Sequence, residues 1–497
     1  MMQFISTRDH ANRVSGHEAI IQGLARDGGL FTPEEISFTI DPASFAGKTY
    51  QETAEVILSA FFDDYTQEEI HNCVISAYDS KFDDPDVVPL RKTEEGWLMD
   101  LWHGPTSAFK DLALTILPHL LTAAYRRENR TDTVAILTAT SGDTGKAALS
   151  GFQDVPNTAV TVFYPTVGVS AVQKRQMQTA AGKNVDVISV NGNFDDCQRM
   201  VKEAVSSKQV LDACRNVVIS SANSINIGRL VPQVVYYYAS YIRLADQGEI
   251  QMGDPVSFVV PTGNFGDILA GYLAKRIGLP VRKLICASNR NHILTDFINT
   301  GIYDIRERPF YTTMSPSMDI LISSNLERLL FMLSGNDDTL TAQLMQDLKE
   351  KKIYEVPGSL LEKLQKSFTA YWSDEADCAE VIRSLYKSEN ILIDPHTAVA
   401  YHAMKEYKKN GNTEPCIVLS TASPYKFGRD VLQSVNGSAP EDDFACMEAL
   451  HALTGVPVPE NLASLKDLPI RFTRAIDTAD GLRVIAERME EISNAGH

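Results

Sequence analysis

One lysine stands where its amine can do chemistry. The nonapeptide His103-Gly-Pro-Thr-Ser-Ala-Phe-Lys110-Asp111 runs into Leu112, Ala113, Leu114, Ile116, Leu117, Leu120 and Leu121. So little polar face predicts a buried helix, with Thr106 or Ser107 as its N-cap and Lys110 in its first turn. An ammonium there loses hydration and meets the positive end of the helix dipole, and both effects lower its pKa from an ordinary value of about 10.4. A lysine that is partly neutral near pH 7 forms a Schiff base with an aldehyde. A snorkelling lysine with a packed stem is the competing reading of the peptide alone.

Two glycine-bearing loops offer sites for anions. Thr140-Ser-Gly-Asp-Thr-Gly145 follows an apolar strand pattern and opens a helix near Lys146, and Thr262-Gly-Asn-Phe-Gly-Asp267 does the same before Ile268. Glycines let backbone amides converge, and the helix N-terminus adds partial positive charge, so each loop suits a phosphate or carboxylate. Either loop alone also reads as a plain strand-to-helix turn. A nucleotide P-loop does not fit, because Thr140 stands where its first glycine belongs and Ala147 replaces the magnesium-binding hydroxyl. The second loop lacks the Gly-x-Gly-x-x-Gly dinucleotide spacing.

An amine for an aldehyde and two anion loops together suit pyridoxal phosphate and an anionic substrate. The cofactor's phosphate needs a helix N-terminus, and its pyridine nitrogen needs a partner that tunes the ring as an electron sink. The late segment Ser420-Thr421-Ala-Ser-Pro-Tyr425 places the Thr421 hydroxyl at a strand end, where it suits that nitrogen.

The elements that must position these groups alternate. Residues 134–138, 159–163, 185–190, 217–220, 256–260 and 284–287 read as strands between helical stretches, and 416–420 as a late strand, which predicts an α/β fold with a largely parallel sheet. Residues 1–97 read as a separate, mainly helical N-terminal domain, with helices at 18–25 and 50–62. Residues 98–255 read as a small α/β domain with the lysine near its start, and 256–497 as a large α/β domain with a helical insertion at 325–390. Two or three domains suit 497 residues. The net charge of −18 argues against a nucleic-acid or anionic-lipid surface. No apolar run is long enough to span a bilayer, and Arg8, Asp9, His10 and Arg13 stand where a secretory h-region belongs. A cytoplasmic protein follows. Seven scattered cysteines without Cys-x-x-Cys predict reduced thiols, and the histidine spacing predicts no metal site.

Taken together the motifs resemble the threonine synthase family, of the longer type with an extra N-terminal domain, among the tryptophan-synthase-β-like enzymes of PLP fold type II. The resemblance spans nearly the whole chain. It rests on Glu18-Ala-Ile-Ile-Gln-Gly-Leu-Ala25 with Asp27-Gly-Gly-Leu-Phe31, on the lysine peptide and on Ser141-Gly-Asp-Thr-Gly145. Asn223-Ser-Ile-Asn226, Gly263-Asn-Phe-Gly-Asp267, Ser315-Pro-Ser-Met-Asp319 and Asp394-Pro-His-Thr-Ala398 complete it. It implies mostly parallel sheets flanked by helices, Lys110 as the Schiff-base lysine, and Gly263, Asn264, Phe265, Gly266 and Asp267 as the cofactor-phosphate loop. Thr421 would partner the pyridine nitrogen. Ser141, Gly142, Asp143 and Thr144 would receive the substrate carboxylate, and Asn223, Ser224 and Arg229 the γ-phosphate of O-phospho-L-homoserine. The implied reaction is γ-elimination of phosphate and β-hydration to threonine, by a monomer or homodimer. A related phospholyase or threonine dehydratase, or a non-catalytic binding relative, is the alternative. His103 and His396 are expected to be structural.

Overall fold

Two sheets carry the residues of interest, and in each the central strands are buried on both faces because helices cover both sides. The computed structural model describes residues 1–140 and 142–495. The smaller sheet has five parallel strands, Ala475–Asp477, Val185–Asn191, Thr158–Pro165, Thr133–Ala139 and Val217–Ser220 in spatial order. The larger runs Phe368–Trp372, Val281–Ser288, Val256–Pro261, Cys416–Ser420, Trp97–Asp100 and Leu90–Lys92. Only its last pair is antiparallel. The strand segments expected at 134–138, 159–163, 256–260 and 416–420 lie inside these elements. Fold class is therefore α/β with mostly parallel sheets and an extra N-terminal part.

The N-terminal part adds a short three-stranded sheet to its helices. Phe4–Ser6 pairs antiparallel with both Asp9–Val14 and Phe31–Pro33, and strands this short carry little periodic signal. Its helices are well signalled: Gly16–Gln22, Tyr50–Phe61 and Gln67–Ala77 each begin in a capping box, Ser15 with Glu18, Thr49 with Glu52 and Thr66 with Glu69. They brace the lysine segment, since the Tyr78 hydroxyl donates to the Leu112 carbonyl at 2.7 Å and the Tyr65 hydroxyl to the Leu120 carbonyl at 3.0 Å.

Three further differences from expectation have physical reasons. The helix expected from Lys110 onward is two helices, Asp111–Leu114 and Leu117–Arg127. Pro118 has no N–H for the Leu114 carbonyl, and that carbonyl instead lies against Gly151, where an added Cβ would sit 1.9 Å from it. Neither Thr106 nor Ser107 caps it; Lys110 itself is the N-cap residue, without a side-chain cap bond. The sheets also ignore the three consecutive blocks. Leu90–Lys92 and Trp97–Asp100 join the large sheet, and the C-terminal strand Ala475–Asp477 and helix Gly481–Ala495 return to the small one. Within 325–390, Phe368–Trp372 is a strand on the edge of the large sheet, as its aromatic and β-branched residues favour. Among the described residues no helix is long and apolar enough to cross a membrane, and no His/Cys/Asp/Glu group is arranged to hold a metal ion.

Candidate active site

Lys110 is held by a turn stitched to the end of strand Cys416–Ser420 of the larger sheet, facing the Asp143 loop of the smaller one. The Phe109 amide donates to the Thr421 carbonyl at 2.9 Å and the Ser423 amide to the Ser107 carbonyl at 3.1 Å. Ser107 takes φ +56° to make this possible. The lysine and Thr421 are thus neighbours through backbone bonds. Asp111 is turned back on the turn, accepting from the Thr106 amide at 2.8 Å and the Thr106 hydroxyl at 2.6 Å. Burial pushes its carboxyl up to about 6 against those bonds. Lys110 lies 3.8 Å from the Asp143 carboxylate with its side chain 13% exposed. Burial lowers its pKa, Lys426 and Arg229 add to the fall, and Asp143 opposes it.

Loop 140–145 links strand Thr133–Ala139 to helix Asp143–Gly151; Ser141 lies outside the described residues. Gly142 has φ +154°, and a Cβ there would overlap the Gln173 side chain at 2.5 Å, so glycine is required. The Thr140 hydroxyl accepts from the Gly142 and Gly145 amides, each at 3.0 Å, and so satisfies two amides that the sequence offered to an anion. The Asp143 carboxylate points inward. It pairs with Lys426 Nζ at 2.6 Å and accepts from Gln173 Nε2 at 3.0 Å. Burial would raise its pKa, but Lys426 and Lys110 outweigh that and hold it well below the ordinary carboxylate range. Thr144 stays half-buried in the first turn.

Loop 262–267 joins strand Val256–Pro261 to helix Gly266–Arg276. Phe265 takes the left-handed conformation, φ +63°, which turns the chain into the helix. Gly263 admits no side chain, because a Cβ would lie 2.7 Å from the Ser317 carbonyl. Asn264 is exposed, while its carbonyl is held by the Asn325 amide at 3.0 Å and Asn325 Nδ2 at 3.1 Å. Asp267 faces away from an anion in this loop, since Oδ1 accepts from the Tyr236 hydroxyl at 2.6 Å and the Tyr237 hydroxyl at 2.9 Å. Its Oδ2 is buried without a partner. Burial pushes this carboxyl up to about 6, with the two tyrosines and Lys110 pulling the other way.

The 223–229 segment meets the same helix end. A Cβ on Gly266 would lie 3.9 Å from Ser224 Cβ, so Ser224 borders the Gly263–Asp267 loop. Asn223 is exposed. Arg229 is 4% exposed; Nη1 donates to the Ala222 carbonyl at 2.8 Å, Nε is buried with no partner, and no carboxylate among the described residues pairs with it. Burial pushes the guanidinium down to about 10.

Sequence reading missed several residues here. Lys426 is 2% exposed and also donates to the Thr106 carbonyl at 2.9 Å; its signal was a lysine inside the apolar run Tyr425-Lys-Phe427. Lys146 is pushed down to about 8, chiefly by burial. Arg328 and Asn325, at the start of helix Leu326–Ser334, reach both loops. His396 accepts the Ser317 amide on Nε2 at 3.1 Å, so Nδ1 carries the proton it shares with Asp394 at 2.6 Å. His103 stacks on Trp102 and bonds Asp83.

Pyridoxal phosphate fits these residues. A buried amine of lowered pKa, a glycine cradle at a helix N-terminus and the strand-end Thr421 hydroxyl match its aldehyde, phosphate and ring nitrogen. A family model described as pyridoxal-phosphate dependent enzyme matches residues 87–422. Models for the threonine synthase N terminus and C-terminal region match 3–78 and 397–486. Threonine synthase from Pseudomonas aeruginosa is 39% identical over 446 residues, 88% of this chain and 92% of that protein. Human threonine synthase-like 1 is 40% identical over 454 residues, 87% of this chain, and the chain spans 60% of that relative's length. The crystal structure of PLP-bound threonine synthase from Brucella melitensis superposes with a TM-score of 0.88 at 35% identity, covering 99% of this chain and all of that one. By these matches the chain belongs to the threonine synthase family of pyridoxal-phosphate dependent enzymes.

Proposed function

We propose that the protein converts O-phospho-L-homoserine and water to L-threonine and phosphate, a γ-elimination followed by β-hydration that completes threonine biosynthesis. One observation carries the choice of substrate. Arg229 is a buried guanidinium with an unpartnered Nε and no carboxylate, close enough to Lys110 to depress its pKa. A planar fork with one nitrogen on a carbonyl and Nε still free suits a phosphate group.

Pyridoxal phosphate, when bound, supplies an aldehyde for Lys110 and a ring that takes up the negative charge released at the substrate's Cα. The protein's residues then have separate tasks. Gly263, Asn264, Phe265 and Gly266, with Asp267 oriented behind them, form the cofactor-phosphate loop, and Thr421 meets the ring nitrogen. Ser141, Gly142, Asp143 and Thr144 form the loop for the substrate carboxylate. Given the inward turn of Asp143 and the bonds from Thr140, that contact falls to Thr144 and free backbone amides. Asn223, Ser224 and Arg229 hold the γ-phosphate. Lys110, its pKa lowered by burial, would remove the Cα proton, and Asp143 beside it would stabilise the ammonium that results. A Cβ proton is lost as well, phosphate leaves with the electrons of the Cγ–O bond, Cγ and Cα each regain a proton, and water adds its hydroxyl at Cβ while its remaining proton goes to the departing phosphate, which balances the reaction.

The same reading places the enzyme in the cytoplasm, as a monomer or homodimer acting on a small molecule. Seven free cysteines, mostly buried, support a reducing compartment. The test is to incubate the purified, cofactor-loaded protein with O-phospho-L-homoserine and quantify threonine, 2-oxobutyrate and phosphate together. Threonine equal to phosphate is expected. Phosphate accompanied by 2-oxobutyrate would make the protein a phospholyase instead.

A further inference from the structure

Arg328 is wholly buried, yet none of its donors meets a carboxylate. Nε donates to the Phe31 carbonyl of the N-terminal sheet at 2.8 Å, Nη1 to the Asn325 side-chain oxygen, and Nη2 to the Ile225 carbonyl. Each acceptor belongs to a different part of the molecule. Asn325 in turn grips the Asn264 carbonyl through both its amide and Nδ2, and Ile225 adjoins Ser224. By taking the oxygen of the Asn325 carboxamide, the guanidinium also fixes which way that group points: its NH2 must face Asn264.

We propose that Arg328 is a positioning residue that locks the Gly263–Asp267 loop and the Asn223–Asn226 loop into one anion cradle and ties that cradle to the N-terminal domain. The inference rests on reading those loops as the cofactor and substrate phosphate sites. A lysine cannot replace this arginine, since an ammonium keeps the charge but cannot span three acceptors in one plane. The neighbouring Glu327 supplies an internal comparison. It also joins helix Leu326–Ser334 to the N-terminal domain, through Arg8 at 2.7 Å and the Thr7 hydroxyl at 2.6 Å, but it touches neither loop.

Arg328→Lys, Asn325→Ala and Glu327→Gln would be compared with the parent protein. The measurements are pyridoxal phosphate affinity of the apoprotein by absorbance titration, KM and kcat for O-phospho-L-homoserine at saturating cofactor, and the unfolding midpoint. Arg328→Lys should weaken the cofactor and raise KM tenfold or more, with kcat within threefold. Asn325→Ala cuts only the branch to Asn264, so cofactor affinity should fall tenfold while KM stays within threefold. Glu327→Gln should lower the midpoint and leave both constants within twofold. Arg328→Lys with both constants within twofold would overturn the proposal, as would Glu327→Gln shifting them equally. If Arg328→Lys does not fold, an unchanged cofactor affinity in Asn325→Ala overturns it instead. Should the parent protein make no threonine, the functional reading fails, and Arg328 is then judged on cofactor affinity alone.

Discussion

Replacing Arg229 with methionine should cripple turnover without unfolding the protein. Burial pushes its guanidinium down to about 10, and at about 1.4 kcal/mol per pH unit this disfavours the charged form by about 3 kcal/mol. In return it makes one bond, to the Ala222 carbonyl at 2.8 Å, and a hydrogen bond from a charged donor contributes about 1.5–3 kcal/mol. The two terms nearly cancel, and methionine refills the volume of the stem. The midpoint of Arg229→Met should therefore stay within about 2 °C of the parent's, given that about 1 kcal/mol moves a large domain by a few degrees at most. Substrate binding loses more. Two charge-assisted bonds to a phosphate, about 1.5–3 kcal/mol each, sum to about 3–6 kcal/mol, or roughly 10²- to 10⁴-fold in kcat/KM. The assay is phosphate release across a range of O-phospho-L-homoserine concentrations, paired with thermal unfolding of the same preparations. A midpoint lowered by more than about 5 °C with kcat/KM within threefold would refute the reasoning and make Arg229 a structural residue.

Lys110→Ala should cut turnover by at least about a thousandfold and abolish the absorbance of lysine-linked cofactor. That absorbance surviving would point to another amine, Lys146 being the first suspect. His17 donates to Asp64 and Glu128, each at 2.7 Å; burial lowers its pKa, but the two carboxylates outweigh burial and raise it. Its stabilising contribution is fully present below the unfolded value of about 6.5 and is lost as pH rises through the folded value. His17→Gln should thus lower the unfolding midpoint more at pH 6 than at pH 9, and an equal deficit at both would dismiss the switch. Asp267 has the opposite chemistry with the same sign. Its carboxyl is pushed up to about 6, so its contribution is favourable when protonated and is lost as pH rises through 6. Asp267→Asn should consequently gain on the parent between pH 5 and pH 8 in unfolding midpoint, and a constant difference across that range would exclude a perturbed Asp267.

Legibility from sequence followed the length and regularity of each signal. Buried parallel strands such as Thr133–Ala139 and Val256–Pro261 announce themselves as apolar runs, and capping boxes mark helix starts to within a residue or two. Lys110 and both glycine loops were visible because the chain around them marks them, a strand pattern before each loop and a helix pattern after it, with Gly142 set by its own dihedral. What was hidden depends on distant partners. Strand Ala475–Asp477 is three residues long and acquires its meaning only beside Val185–Asn191. The inward turn of Asp143 depends on Lys426, far along the chain, and the work of Arg328 depends on Phe31 and Ile225. A motif predicts that a loop exists and what backbone it needs, whereas the direction of a side chain is decided by the charge that packs against it.

Electrostatics at this site run opposite to those of the whole protein. The chain carries −18, yet Arg229 and Arg328 are buried beside the two loops without a carboxylate partner, and each is shifted downward chiefly by burial. Where an acid does come close, a lysine or tyrosines occupy it: Lys426 holds Asp143, and Tyr236 and Tyr237 hold Asp267. Unmatched positive charge in a low-dielectric interior destabilises the empty protein, and an incoming phosphate relieves that strain where water would only screen it. On the proposed reading, a preference for a doubly anionic ligand would be built into the site before the ligand arrives, with Arg229 as the cation still lacking an anionic partner. The acidic exterior works against it, because it repels every anion at the surface, the substrate included, so on this reading selection falls to the interior cations.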